Sequence, residues 1–323
     1  MPHAANTLSL VADIGGTNTR IALARGADLL PDTIRRYRNA DCPDLETAIR
    51  RFVQAEGGVN CAAACVAVAG PVRDGQASMT NLDWAIDTDT LARATGAQTV
   101  AILNDLQAQG HALGRIDDDK LRPVISGATP EAAAPQLVVG VGTGFNAATV
   151  YHDGAARLVT ASESGHITLP IRSAQDLSLS QFVGDSHGFP ALEEVLSGRG
   201  LSNVDAWVGA QTGATDRRDG GTIMEALAGG DDRARQAVFT FIRLLGNAIG
   251  DLSLIQLPRG GIFLIGGVAR AVAPYFDEAE LAKAFRDKGR FGEFMDAFPV
   301  WLIEDDYAAL IGVAAYLAQL AEG

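Results

Sequence analysis

Short runs of apolar residues alternate along the chain with segments whose apolar residues recur at helical spacing. Near the start, "LSLVAD" and "RIALAR" flank the glycine-rich "IGGTN", and this pattern predicts a β-hairpin with a glycine turn. The stretch "DLETAIRRFVQAEG" predicts a helix with Asp44 as N-cap and Gly57 as C-cap. "CAAACVAVAG" and "QTVAIL" predict buried strands. Strands that alternate with helices indicate an α/β domain.

The second half of the chain repeats the opening pattern. "QLVVGVGTGFNAATVYHDG" is again strand, glycine turn and strand, so residues 8–25 and 136–152 predict a duplicated unit. Residues 231–257 are apolar on most of a helical circumference and predict a long central helix. "GGIFLIGGVAR" predicts strand, glycine pair and helix, and "FPVWLI" and "YAALIGVAAYLAQL" predict a strand and a helix. We therefore predict a small α/β domain over 1–112, a large α/β domain over 113–305, and a C-terminal helix over 306–323 that packs back on the first domain.

Composition limits the class of protein. The 323 residues are 47% hydrophobic, enough for two domain cores, but no uninterrupted apolar run approaches the roughly 18–20 residues that a membrane span needs. The first ten residues carry no Lys or Arg and no long apolar stretch, which argues against a secretory signal and predicts a cytoplasmic protein without a membrane partner. Cys42, Cys61 and Cys65 lack metal-ligand spacing, so we expect reduced, buried thiols.

The net charge of −13, without a basic cluster, argues against a nucleic-acid partner. An acidic chain can still bind a nucleotide through backbone N–H groups and a divalent cation. Glycine is enriched, at 36 residues or about 11% of the chain against an average of about 7%. These glycines are clustered, and the clusters are the first candidates for chemistry.

The turn in "VADIGGTNTR" has the composition of a phosphate clamp without lysine. Gly15 and Gly16 permit a turn with exposed backbone N–H groups, and Thr17 and Asn18 add donors. Asp13 has the chemistry to hold a hydrated Mg²⁺ beside a phosphate. An ordinary hairpin turn is the alternative interpretation.

Two further glycine clusters offer the same chemistry. "GVGTG" lets the chain approach a polyphosphate closely, although it has neither Walker nor Rossmann spacing. After "IFLI", a glycine pair opens a helix whose N-terminus is suited to a nucleotide. The candidate residues of these clusters are Gly140, Gly142, Thr143, Gly144, Gly266 and Gly267.

Polar residues at other positions suit an acceptor rich in hydroxyl groups. Asn104 and Asp105 stand where "AIL" meets a helical segment, so they are either a helix cap or a catalytic base. "ESGH" places Glu163 and His166 in one tight turn, and "EEVLSGRG", with Glu193 first, is predicted to end a helix. Carboxylates, amides and neutral imidazole exchange hydrogen bonds with sugar hydroxyls. The alternatives are a turn histidine bonded to backbone and glutamates on a solvated helix face.

Taken as a set, these motifs resemble the bacterial glucokinase family in order and approximate spacing over nearly the whole chain. They are "LVADIGGTNTR", "TNLDW", "LNDLQA", "GVGTG", "ESGH", "EEVLSGRGL", "IFLIGGVA" and "FRDKGRF". The resemblance implies two ribonuclease-H-like domains of the actin-like ATPase group, with an interdomain cleft that closes over ATP and sugar. It also implies an ATP-dependent hexokinase, above all a glucokinase, that uses Mg²⁺ and forms a homodimer.

The resemblance also assigns roles. Asp105 corresponds to the general base that accepts the proton of the sugar 6-hydroxyl, while Asn104, Glu163, His166 and Glu193 would bind sugar hydroxyls. Glu193 is chosen over Glu194 because the family pattern E-x-V-L-S-G aligns with it. Nucleotide and metal roles fall to Asp13 (Mg²⁺ through water), to residues 15–18 and 140–144 (phosphates), and to Gly266 and Gly267 (adenosine).

The sequence departs from the family pattern at two places. The chain continues after "GVGTG" with "FNAA", which includes Asn146, where relatives usually have leucine and another glycine, and Ser164 stands where glycine is usual. Two alternatives therefore stay open: a kinase for another hexose or an amino sugar, and a catalytically weak sugar-binding regulatory protein. Retention of Asp13, Asp105 and Glu163 together with His166 favours an active enzyme.

Overall fold

The computed structural model describes residues 8–79, 82–154 and 156–322, so Thr80 and Asn81 of the "TNLDW" motif lie outside the described residues. The strands are β1 (Leu8–Ile14), β2 (Asn18–Arg25), β3 (Asp28–Leu29), β4 (Arg35–Arg38), β5 (Ala63–Val68), β6 (Val72–Arg73), β7 (Gln76–Met79), β8 (Leu82–Asp87), β9 (Thr99–Asn104), β10 (Leu121–Ile125), β11 (Gln136–Val141), β12 (Phe145–Asp153), β13 (Ala156–Thr160), β14 (Ile262–Ile265) and β15 (Val300–Ile303). The helices are α1 (Leu45–Ala55), α2 (Thr88–Thr95), α3 (Asp105–Ala112), α4 (Ala174–His187), α5 (Gly198–Ala210), α6 (Gly220–Ala228), α7 (Asp232–Gln256), α8 (Gly267–Val272), α9 (Leu281–Arg286) and α10 (Ala308–Glu322).

The chain divides into two compact units. The first comprises Met1–Asp118, Asp153–Val159 and Asp305–Gly323, and the second comprises Asp119–His152 and Thr160–Glu304. The predicted division, 1–112 with 306–323 against 113–305, differs because residues 113–118 and 153–159 belong to the first unit. The second of these segments is held there by α10: the side chain of Gln319 accepts a hydrogen bond from the backbone N–H of Arg157 and donates one to its carbonyl, at 2.8 and 3.1 Å.

A mixed sheet forms the centre of the first unit. Its strands lie in the order β3-β2-β1-β5-β9; β1 and β2 are antiparallel, and β1, β5 and β9 are parallel. Both faces of β1 are buried because Leu10, Ala12 and Ile14 point into one core while Val11 points into another. Helices α1 and α2 cover the first face, and α3 and α10 cover the second.

Helix caps follow the sequence closely in this unit. The predicted N-cap of α1, Asp44, is confirmed, since its carboxylate accepts a hydrogen bond from the N–H of Thr47 at 2.7 Å. The predicted C-cap was one residue late: Glu56 caps the helix, and Gly57 follows at φ +79°. The three cysteines are free and buried, as expected.

The second unit repeats the topology of the first. Strands β11 and β12 form an antiparallel hairpin, and β11, β14 and β15 are parallel neighbours. The order β12-β11-β14-β15 therefore matches β2-β1-β5-β9, which confirms the predicted duplication. Strand β10 adds an antiparallel edge beside β15. Both units are ribonuclease-H-like, and the chain has the two-domain actin-like ATPase fold.

Helix α7 is the long central helix that the sequence predicts. Asp231 caps its N-terminus by accepting a hydrogen bond from the N–H of Ala234 at 2.7 Å, and residues such as Phe241 and Leu245 are fully buried in the core of the second unit. Among the described residues, α7 is the one helix whose length and composition would also suit a membrane span, and most of its apolar stretch is buried inside the unit. Its burial in the core of the second unit explains why this helix is long and apolar.

The prediction for "EEVLSGRG" was wrong. A short 3₁₀ turn, Leu192–Glu194, precedes a new helix, so the stretch begins α5 instead of ending a helix. Ser197 is the N-cap and accepts a hydrogen bond from the N–H of Gly200 at 2.9 Å. Gly200 has no room for a side chain, because a Cβ there would collide with the backbone of Val195.

Candidate active site

In the first unit, the candidate carboxylates lie at the carboxyl ends of parallel strands. Ile14 of β1 pairs with Val68 of β5, and Val68 pairs with Asn104 of β9, so these three strands end at the same level. Asp13 and Asp105 therefore lie at one edge of the sheet. In α/β folds, this edge is where ligands bind.

Asn104 is the cap of helix α3. Its side-chain oxygen accepts a hydrogen bond from the N–H of Leu106 at 3.0 Å, and the side chain of Gln107 accepts one from the N–H of Asn104 at 3.3 Å, which completes a capping box. The amide of Asn104 also donates to the carbonyl of Gly70 at 3.0 Å. Asn104 is thus the N-cap of α3 and the member of the capping box, while the Asp105 carboxyl belongs to the first helical residue.

The carboxyl group of Asp105 is a weaker acid than usual. Burial raises its pKa, and the negative charge of Asp13 raises it further, while the hydrogen bond from the N–H of Leu106 at 2.8 Å opposes both. The result is a pKa of about 6, against an ordinary value of 3.8. A carboxylate with a pKa close to the working pH is suited to general base catalysis.

Asp13 is held by an arginine that the sequence did not single out. The carboxylate of Asp13 lies 3.0 Å from the guanidinium of Arg20, and burial raises the pKa of Asp13 although Arg20 lowers it. The hairpin register places Arg20 directly opposite Asp13. Counting residue pairs outward from the glycine turn would have identified this partner.

A hydrated Mg²⁺ would fit at the Asp13 carboxylate, whose charge acts on the carboxyl of Asp105. Their mutual repulsion contributes to the raised pKa of Asp105, and a cation would relieve it. Within the part of the chain that the structure describes, no cluster of three or more acidic, histidine or cysteine side chains forms a complete protein cage for a metal. Mg²⁺ does not need one, because it commonly keeps several waters and takes further ligands from phosphates.

The first glycine turn is fixed by Asn39, a second residue that the sequence did not indicate. The N–H of Gly15 donates to the carbonyl of Asn18 at 3.0 Å. The buried side chain of Asn39 donates to the carbonyl of Gly15 at 2.7 Å, and its backbone N–H donates to the carbonyl of Thr17 at 2.9 Å. Gly16 and Thr17 remain exposed at the tip of this fixed turn.

In the second unit, the structure brings the other two glycine clusters together. Gly142 begins the turn between β11 and β12, where its N–H donates to the carbonyl of Gly144 at 2.9 Å, and the exposed Thr143 lies between them. Gly140 pairs with Ile265, the last residue of β14. Gly266 has φ +113°, and a Cβ there would collide with the carbonyl of Val141. Gly267 then begins α8.

Glu193 lies against this second turn. One of its carboxylate oxygens accepts a hydrogen bond from the N–H of Phe145 at 2.9 Å, and a Cβ on Gly144 would come within 2.6 Å of the same oxygen. Gly165 of the "ESGH" turn also lies against Glu193, since a Cβ there would lie 3.3 Å from the Cβ of Glu193. Glu193 therefore joins the glycine turn to the "ESGH" turn.

Glu194 has a different environment. Its carboxylate accepts two hydrogen bonds from the guanidinium of Arg199, at 2.6 and 2.9 Å, and lies 3.6 Å from the imidazole of His187. The Glu194 carboxylate is therefore bound by side chains of its own unit. Arg199 also donates a hydrogen bond to Glu193, at 3.3 Å, and the choice of Glu193 as the candidate ligand stays a prediction.

Glu163 and His166 project from their turn into solvent. Their side chains are 68% and 65% exposed, and the carboxylate of Glu163 lies 3.9 Å from the imidazole of His166. Asn146 fixes the turn: its side-chain oxygen accepts hydrogen bonds from both the N–H and the hydroxyl of Ser164, each at 3.0 Å. The two departures from the family pattern, Asn146 and Ser164, are therefore in direct contact with each other.

Two ribonuclease-H-like units, each with a glycine turn in its first hairpin and carboxylates nearby, define a protein of the actin-like ATPase fold class. A family model described as Glucokinase matches residues 10–320. The chain belongs to the glucokinase family.

Individual relatives agree with this assignment. A glucokinase of Chromobacterium violaceum is 34% identical over 312 residues, which cover 96% of this chain and 89% of the relative. A glucokinase of Rhizobium johnstonii is 31% identical over 309 residues, which cover 95% of this chain and 90% of the relative. The crystal structure of a glucokinase from an Antarctic psychrotroph superposes with a TM-score of 0.86 at 29% identity and covers 97% of this chain and 99% of that one.

Proposed function

We propose that the protein is an ATP-dependent glucokinase that transfers the γ-phosphate of ATP to the 6-hydroxyl of glucose, with Asp105 as the general base. The observation that carries this proposal is the Asp105 carboxyl, which follows the N-cap residue Asn104 and has a pKa raised to about 6. Membership of the glucokinase family over residues 10–320 supports the choice of reaction.

The role of Asp105 follows from its protonation state. At a pH above its pKa of about 6, the carboxylate is mostly ionised. It can then accept the proton of the hydroxyl whose oxygen attacks the γ-phosphate. The proton then resides on the Asp105 carboxyl, where burial and the charge of Asp13 favour it. A positioned base of this kind contributes roughly 10²- to 10⁴-fold in rate.

The nucleotide roles follow the glycine turns. Asp13, oriented by Arg20, would hold a hydrated Mg²⁺, which when bound neutralises phosphate charge during transfer. Residues 15–18 and 140–144 would donate backbone N–H groups to phosphates. Gly266 and Gly267 would lie near adenosine, because Gly266 packs against the second turn.

Sugar hydroxyls would be bound by side chains that keep hydrogen-bonding capacity. Glu163 and His166 are exposed, and Glu193 accepts from one backbone N–H and from Arg199. The Asn104 amide already caps α3 and donates to Gly70, which leaves one N–H for a ligand. These residues and Asp105 are the proposed ligands of glucose.

A coupled assay of ADP production across glucose, fructose, mannose and glucosamine tests the proposal. We expect the highest kcat/KM with glucose. Preference for another sugar would identify a kinase for that sugar, and tight glucose binding without turnover would identify a regulatory paralogue. If no sugar stimulates ADP production at millimolar concentration, the kinase proposal fails.

A homodimer and a cytoplasmic location are also part of the proposal. Both are supported by the resemblance to glucokinases. Light scattering coupled to size-exclusion chromatography tests the homodimer.

A further inference from the structure

The first unit contains a cavity of about 770 Å³ that is separate from its candidate carboxylates. Its walls are the end of α3 with the residues that follow it, the segment around Arg157, and the last turns of α10. All of its lining residues belong to the first unit, and neither Asp13 nor Asp105 is among them. Pockets for small molecules typically enclose about 300–1,000 Å³, so the size suits a small metabolite.

The notable group in this cavity is the guanidinium of Arg157. It is half-buried and donates a hydrogen bond to the carbonyl of His111 at 3.0 Å. It forms no ion pair with any carboxylate in residues 8–79, 82–154 and 156–322. Burial and the like charge of Arg115 lower the pKa of Arg157. A partly buried cation without an anionic partner is costly to the fold, and a bound anion would offset that cost.

Arg115 contributes the second positive charge of the cavity. It is exposed, and its ion pair with Asp28 is long, at 3.9 Å. His111 also lines the cavity but adds no charge near neutral pH, since burial, and then Arg157, lower its pKa to about 4. The positive charge of the cavity therefore comes from the two arginines, while Asp153 and Glu322 on the same lining carry the opposite charge.

The surrounding fold holds the Arg157 guanidinium at the cavity wall. Gln319 bonds both backbone groups of Arg157, which anchors this position independently of its side chain. Gly114 leaves the necessary space: a Cβ there would lie 2.7 Å from the guanidinium, and its φ of +76° also disfavours other residues. Two segments that are distant in sequence, one with Gly114 and one with Gln319, thus position Arg157.

We propose that this cavity binds a small hydroxylated oxyanion, a phosphate ester or a carboxylate, through Arg115 and Arg157. The planar guanidinium matches the geometry of both kinds of anion and bonds them through two N–H groups. Asp153 and Glu322 also line the cavity and supply acceptors for hydroxyl groups.

Isothermal titration calorimetry on the full-length protein, without nucleotide or sugar, tests the site. Glycerol 3-phosphate and glycerate are matched probes that differ in their anionic group, and glycerol is the uncharged control. We expect one anion per chain, with glycerol not binding. The tighter of the two anions identifies phosphate or carboxylate as the preferred group.

Three variants locate the binding. Arg157→Met should weaken anion binding by at least about tenfold, because a charged hydrogen bond is lost from a partly buried position. Arg115→Met should weaken it as well, and it is the fallback if Arg157→Met fails to fold, because Arg115 is exposed and makes only one long ion pair. Arg73→Met is the matched control: it removes one charge from a side chain that is 92% exposed, so affinity should not change.

Two results would overturn the proposal. One is the absence of binding by either anion at millimolar concentration. The other is equal affinity in the wild-type protein and in both the Arg157→Met and Arg115→Met variants, which would place the anion elsewhere, for instance on the glycine turns. Thermal unfolding of each variant shows whether it is folded. Calorimetry does not depend on phosphoryl transfer. Failure of the anion-binding proposal can therefore be distinguished from failure of the proposed kinase activity.

Discussion

At the scale of single residues, the junction between β9 and α3 divides two roles between neighbours. Asn104 is the N-cap of the helix, and Asp105, which accepts the same Leu106 N–H, has a carboxyl that burial and Asp13 make less acidic. A carboxylate in that environment costs the folded state free energy whenever it is ionised. We therefore expect that Asp105 is needed for the reaction but not for the stability of the fold.

Asp105→Asn tests this separation. We expect kcat to fall by at least about 10²-fold. At about pH 7.5 the free energy of unfolding should rise by about 1–2 kcal/mol, because the folded-state pKa of Asp105, about 6, lies above its ordinary value of 3.8 and the ionised carboxylate opposes folding. This gain should shrink as the pH falls from about 6 to about 4, where Asp105 becomes protonated in the folded wild type. Urea unfolding at several pH values measures it.

Asn104→Ala is the matched control for stability. Loss of the cap should lower the free energy of unfolding by about 1 kcal/mol. If Asp105→Asn instead destabilised the protein as much as Asn104→Ala, the capping role would belong to Asp105.

In the wild type, kcat/KM should rise with pH and level off above about pH 6, as the base loses its proton.

Asn146→Leu tests the contact between the two positions that depart from the family pattern. The substitution removes the acceptor for the N–H and the hydroxyl of Ser164, so the turn that carries Glu163 and His166 loses an anchor. If these side chains bind glucose, the KM for glucose should rise by about three- to tenfold, with the KM for ATP unchanged. Steady-state kinetics measures both values. Ser164→Ala, which keeps the backbone N–H bond, should have a smaller effect, and an equal rise in both KM values would contradict the prediction.

At the scale of elements, local signals in the sequence predict most of what is found. Glycine turns flanked by apolar runs predicted both hairpins, and Asp44 marked the start of α1. The stretch "EEVLSGRG" was misjudged although the sequence carried the opposite signals, since Ser197 is a good N-cap and glutamates favour the start of a helix over its end. Asn39 could not be predicted, since it acts on Gly15 through tertiary hydrogen bonds and carries no local pattern.

Helix packing gives a prediction at this scale. Gly312 lies where α10 crosses α3, and a Cβ there would collide with the carbonyl of Ala108. Gly312→Ala should therefore lower the free energy of unfolding by about 1–3 kcal/mol, as expected for overpacking at a buried contact. Gly220→Ala is the matched control: the nearest atom to its Cβ would be Leu201 Cδ2 at 4.0 Å, so the added methyl should be neutral or raise stability. Denaturant unfolding compares the two, and equal effects would contradict the prediction.

At the scale of the whole molecule, the first unit is assembled from three separate stretches of chain. The duplicated hairpin allowed the sequence to predict two similar units, because each hairpin is a local pattern. The return of residues 153–159 to the first unit could not be predicted, because it depends on hydrogen bonds between Arg157 and Gln319 across more than half of the sequence. Part of the first unit's core is therefore completed only by the last helix of the chain.

The reactivity of the cysteine thiols tests whether α10 completes this core. Cys65 lies in the core that α10 covers, together with Val11 and Leu310, whereas Cys42 and Cys61 lie in the core on the other face of the sheet. A chain that ends at Tyr307 lacks α10, so Cys65 should become exposed and its pKa, now raised by burial, should fall toward its ordinary value of 9.0. We expect a thiol-specific reagent to label Cys65 in this truncated chain and none of the three cysteines in the full chain.

Mass spectrometry of the labelled peptides distinguishes the possible results. A chain that lacks only residues 320–323 is the control, because Leu320 is 43% exposed and lies outside the core, and its Cys65 should stay protected. Labelling of Cys65 alone would show that α10 shields one face while the other keeps its packing. Protection of Cys65 in the chain ending at Tyr307 would contradict the assignment of α10 as its cover. Equal labelling of all three thiols would show instead that the two faces cannot stay folded independently, so that the C-terminal helix is required for the entire first unit.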